Sequence, residues 1–148
     1  MSSYLNTEPD LDDHESILES YPAECYLVVN EDPDVGPNFR FHAPARKPIT
    51  FEDEDRARLF AELYIVTDGF RIKEGVGERG IPVNIATSKS PAIAAYMYAA
   101  WGSTPSEIAR RINADRETVL SYIGEIRTKA DKIVEGTEEP DTVPGELG

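Results

Sequence analysis

Asp53, Glu54 and Asp55 stand side by side, three carboxylates of the kind that can hold a cation or move a proton. An apolar helical period follows them, and a helix N-terminus, where negative charge is favoured, explains them fully. His14 lies in an acidic stretch, His42 in a β-rich one, and Cys25 in the apolar run CYLVV. Zinc sites want Cys and His clustered at short spacing, so these three make no metal set. Cys25 reads as a small buried hydrophobe rather than a nucleophile. GVGERG at residues 75–80 matches Gly-x-Gly-x-x-Gly. A dinucleotide site would need a helix after it and an acid some twenty residues on. The strand-like IPVNIA follows instead, and residues 81–106 contain no Asp or Glu. No Ser/His/Asp arrangement or phosphate loop appears. The chain is therefore expected to be no enzyme and to carry no cofactor or metal.

What remains is cationic. Arg40, Arg46 and Lys47 form the densest basic stretch, in RFHAPARKP. Arg71, Lys73 and Arg79 surround the glycine-rich loop, where they could brush phosphates as a wing does. Residues 104–131 hold five bases and five acids. The whole 148-residue chain nevertheless has a net charge of -13 and a pI near 4.5. Residues 1–24 hold seven acids and no Lys or Arg, and residues 135–148 hold five more, also unopposed. That leaves 16 acids against 15 bases for residues 25–134, so the body is nearly neutral and the ends are acidic. With their Pro, Gly, Ser and Thr, residues 1–23 and 136–148 read as solvated ends.

Ten Arg against five Lys, with abundant Asp and Glu, resembles the usage of proteins from salt-loving archaea. At molar salt the Debye length is about 3 Å and acidic ends repel a polyanion weakly. In dilute buffer they oppose it. No run of 18 apolar residues and no secretory leader is evident, so a cytoplasmic protein with no membrane partner is expected.

The elements that must position these groups divide the chain in two, giving an α+β fold class. Residues 24–87 form a small strand/helix/hairpin unit. ECYLVVN (24–30) and FRFHA (39–43) are strands that can pair. Thr50 or Asp53 caps a helix over 53–66, and FRIK and IPVNIA flank the glycine-rich loop as a hairpin. Residues 88–135 form three helices. Ser90-Pro91 opens the first and Gly102 ends it. Thr104-Pro105-Ser106-Glu107 is a capping box for the second, which stops at Asn113, and Asp115 caps the third, from 116 to about 134. Apolar residues at 108, 112, 114, 119 and 122, with small Ala109 at a steep crossing, complete a helix-turn-helix pattern. Ile126, Ala130 and Ile133 prolong the apolar period. That end packs on the α+β unit or pairs with a second copy, which would make a homodimer.

SPAIAAYMYAAWGSTPSEIARRINADRETVLSYIGEIRTKAD resembles the helix-turn-helix of the LuxR/GerE and sigma-region-4-like type. The resemblance rests on a first helix, a Gly, SEIARRI, then TV followed by I..K, over some 42 residues. It implies that the third helix enters the major groove of double-stranded DNA. The groove-facing residues would be Arg116, Glu117, Leu120, Ser121 and Gly124, with Arg110, Arg111, Arg127 and Lys129 near phosphates. Leu120, Ser121 and Gly124 stand where such proteins usually place Lys, Arg or Gln. Leu120 can touch a thymine methyl, Ser121 can read either strand's edges and Gly124 permits close approach. The expected function is a transcriptional regulator, with a transcription-machinery protein as a possible further partner. The alternative is a protein–protein adaptor or DNA mimic on the same fold. A viral or plasmid maintenance protein is a third.

Overall fold

The computed structural model describes residues 9–44, 48–67, 85 and 90–136. Among the described residues the architecture is α+β: a four-stranded antiparallel sheet followed by four helices. Strands β1 (Glu15–Tyr21), β2 (Cys25–Asn30), β3 (Asn38–His42) and β4 (Ile49–Phe51) lie in the order β1-β2-β3-β4. Helices α1 (Glu54–Val66), α2 (Ser90–Ala99), α3 (Pro105–Ile112) and α4 (Arg116–Glu135) follow.

The sheet forms because β2 and β3 alternate bulky residues on one face. Leu27 pairs with Phe41 and Val29 with Phe39, and all four are buried. Phe60 of α1 meets Phe41 and Phe51 at centroid distances of 5.6 and 5.2 Å. Aromatic contacts of this kind add to the area they bury. The β2–β3 connection is a turn closed by its own side chains: Asn30 Oδ1 accepts from Asp32 N–H, and Asp32 Oδ1 from Asp34 N–H.

Helix α1 is capped by Asp53, whose carboxylate accepts from the Arg56 N–H at 2.9 Å. Thr50, the other candidate cap, sits in β4 instead. Seven of the thirteen α1 residues are buried, which exceeds a single amphipathic stripe. The helix is covered by the sheet on one side and by α2 and α4 on the other. One hydrophobic cluster therefore runs from Cys25 to Ile133 across the boundary placed between residues 87 and 88.

Two sequence expectations need correction. The acidic lead is not a solvated end throughout, because residues 15–21 are β1. Glu15 receives hydrogen bonds from Arg40, and Glu19 receives one from Arg58 at 3.2 Å. Burial works to raise the Glu15 carboxyl, but the bonds from Arg40 and the Asp12 N–H outweigh it and hold it below its usual value. A register shift between Ile17 and Glu19 hides the strand from a period-two reading. Secondly, Ile85, read as the end of a hairpin strand, has helical backbone and is fully buried. The spacing of Ile81 and Ile85 suits a helical turn as well as a strand, and a short apolar run does not separate the two. Of the two places expected for the apolar end of the third helix, the structure shows the first, packing on the α+β unit. Ile126, Ala130 and Ile133 are buried within the chain itself. The rest of the expected hairpin, with Arg71, Lys73 and Arg79, lies outside the described residues, as do Arg46 and Lys47.

Candidate nucleic-acid interface

The connection between α3 and α4 is set by local chemistry. The Thr104 hydroxyl accepts from the Glu107 N–H at 3.2 Å, and the Glu107 carboxylate accepts from the Thr104 N–H at 2.9 Å. Pro105 opens the helix, where no N–H is needed. Asn113 ends α3 in the left-handed region, φ 59° and ψ 50°, and the Ala114 N–H closes back on the Ala109 carbonyl at 2.9 Å. The Asp115 carboxylate then accepts from the Thr118 N–H at 2.8 Å. That bond holds the Asp115 carboxyl below its ordinary value. Three residues thus turn the chain from one helix into the next. Ile108, Ala109, Val119 and Ile123 are buried between them, with Ile112 and Tyr122 half-buried at the rim.

The opposite side is open. Arg110, Arg111, Arg116, Glu117, Ser121 and Gly124 are exposed, and Leu120 is 42% exposed. A Cβ added at Gly124 would meet nothing within 4 Å. Nothing inside the protein therefore requires glycine there, although glycine in a helix interior costs about 1 kcal/mol relative to alanine.

The arginines divide sharply. Arg40 is bonded to Glu15 and His42. Arg56 donates from Nε to the Ala99 carbonyl at 3.1 Å and from Nη2 to that of Ala100 at 3.4 Å. Arg58 bridges Glu54 and Glu19. Arg127 donates to Asp55 at 2.9 Å and to Glu62 at 3.1 Å, and the Tyr98 hydroxyl donates to the other Asp55 oxygen at 2.9 Å. Among the described residues, Arg110, Arg111 and Arg116 alone of the arginines form no ion pair or side-chain hydrogen bond. All three sit in the last turn of α3 or at the first residue of α4. Arg110 and Arg111 also suit the C-terminal end of a helix dipole.

One expected phosphate contact stands elsewhere. Arg127 is turned inward to α1, where it ties α4 to the sheet-bearing half of the molecule. Lys129 is half-buried and lines an open groove with Gly124, Glu125, Thr128 and Lys132. The C-terminal half of α4 is mixed in charge, with exposed Asp131 and Glu135 beside Lys129 and exposed Lys132.

Trp101 and Arg56 escaped the sequence reading. The Arg111 guanidinium lies 5.8 Å from the Trp101 ring centroid. A lone tryptophan beside a helix-ending glycine was a visible signal; nothing marked Arg56 among the other helical arginines. Among the described residues no group of His, Cys, Asp and Glu could hold a metal ion, and no helix is long and apolar enough to cross a membrane. No family model, no curated protein and no solved structure matches the chain.

Proposed function

We propose that the chain is a DNA-binding transcriptional regulator in which α2, α3 and α4 act as a helix-turn-helix and the N-terminal half of α4 enters the major groove. The observation that carries this reading is the arginine division. In a protein of net charge -13, the arginines that form no ion pair or side-chain hydrogen bond among the described residues gather at one helix–turn–helix junction. A free guanidinium fork suits a phosphodiester. Arg110, Arg111 and Arg116 fix the register on phosphates, while Leu120, Ser121 and Gly124 face base edges with little hydrogen-bonding capacity. Discrimination then rests on a methyl contact, a hydroxyl and close backbone approach. The reading places the protein in the cytoplasm, with duplex DNA as partner and no cofactor.

The tests are duplex binding by fluorescence anisotropy across a KCl series and the same titration on Arg110→Ala and Arg116→Ala. Each substitution lowers the slope of log affinity against log salt by about one. Arg127→Ala leaves that slope unchanged, since Arg127 is committed to α1. Absence of duplex binding at every salt, by a chain shown to be folded, refutes the reading. A second reading, a protein–protein adaptor, is favoured by one feature: an exposed leucine beside a bare helical glycine offers a partner helix a place to seat.

A further inference from the structure

Arg111 differs from its two unpaired neighbours in being held. Its guanidinium stands over Trp101, and Trp101 meets Tyr96 edge-on at 6.3 Å and 75°. Tyr96 is 2% exposed in the middle of α2. The backbone that carries Trp101 is pinned as well. Gly102 takes φ 72°, its N–H donates to the Tyr98 carbonyl, and the Ser103 N–H donates to that of Met97, both at 3.2 Å. A side chain at Gly102 would also strike the Arg56 guanidinium, 3.2 Å from an added Cβ. Glu107, one turn before Arg111 and the natural partner for it, has its carboxylate turned to the Thr104 N–H.

On the regulator reading, we infer that Trp101 is a positioning residue: its indole face holds the Arg111 guanidinium ready for a backbone phosphodiester. A flexible arginine loses rotamer freedom when it engages a phosphate, and a side chain already stacked has less to lose. A cation–π contact occupies none of the guanidinium N–H donors with an acceptor oxygen, which an ion pair with a carboxylate would. The line Tyr96–Trp101–Arg111 therefore links the buried interior of α2 to the proposed phosphate contact on α3.

The test uses the full chain and a fluorescein-labelled duplex, with anisotropy followed through a KCl series and thermal unfolding recorded for every variant. Arg111→Ala lowers affinity and removes about one unit of salt slope. Trp101→Ala weakens binding several-fold when Arg111 is present and has no further effect in Trp101→Ala/Arg111→Ala, whereas Trp101→Phe, which keeps an aromatic face, retains most of the affinity. Arg111→Lys does not depend on the fold of α2: it keeps the charge and the salt slope but loses affinity, because an ammonium lacks the planar face. Additive losses in the double variant, or an Arg111→Lys chain that binds as well as the unsubstituted one, overturn the positioning role while leaving the regulator reading intact. Failure of the unsubstituted chain to bind any duplex overturns the regulator reading, and the phosphate role with it.

Discussion

Replacing Glu62 by glutamine should remove most of the pH dependence of stability between about pH 6.5 and about pH 8. Glu62 sits between α1 and α4 with its side chain 15% exposed, and burial pushes its carboxyl from 4.5 up to about 7. Arg127 and Arg58 pull it down, and Asp131 and Asp55 push it further up. In the unfolded chain the group loses its proton near 4.5; in the folded chain it keeps the proton to about 7. Between those values the folded state binds more protons, so stability is full below the lower value and is lost as pH rises through the higher one. One pKa unit corresponds to about 1.4 kcal/mol, and the whole shift therefore to roughly 3 kcal/mol. Solvent at the rim of this interface screens part of it, and about 2 kcal/mol is the expected loss. His42 acts in the opposite sense: burial and then Arg40 hold it below 6.5, so its contribution is present above that value and lost as pH falls. The two separate above about pH 6.5, where the His42 contribution is complete and that of Glu62 is still falling. Urea unfolding by circular dichroism at fixed ionic strength measures the difference. Glutamine can still accept from Arg127, so Glu62→Gln is expected to be nearly flat above about pH 6.5 and more stable than the unsubstituted chain at the alkaline end. Parallel pH profiles for the two proteins would refute the argument that Glu62 is desolvated.

Two further substitutions have signs set by the geometry. Gly124→Ala should stabilise the chain by about 1 kcal/mol in urea unfolding, since the added methyl meets open space. In the duplex titration the same change should lower affinity, because the methyl occupies the surface through which α4 approaches its partner. Thr104→Ala breaks one half of the capping box and should cost about 1 kcal/mol in the same unfolding assay, without altering the salt slope of duplex binding.

The parts of the fold that were legible are those written locally. Asn113, Asp115 and Thr104-Pro105-Ser106-Glu107 each act within four residues of their own position, and both ends of α3 and the start of α4 fall where those residues place them. Strand β1 was not legible because a one-residue shift in its pairing spoils the alternation and its acids resemble those of a solvated tail. The candidate site was legible in outline, from Arg110 to Gly124. Its boundary was not: whether Arg127 faces a phosphate or a carboxylate depends on Asp55 and Glu62, 72 and 65 positions away. No spacing rule within a helix carries that information. The stack of Arg111 on Trp101 depends in the same way on how α2 meets α3.

The place of β1 in the sheet changes how the acidity of this protein should be probed. Glu15 and Glu19 look like surplus charge to be trimmed, yet they belong to a strand that covers one side of β2. Cutting the chain ahead of Cys25 would strip that cover and leave a six-residue row of backbone N–H and C=O groups, flanked by Leu27, Val28 and Val29, facing water. Such a row recruits another copy of itself, and self-association would then masquerade as a change in ligand affinity. Charge removal by substitution, one carboxylate at a time, keeps the strand and separates electrostatics from edge protection.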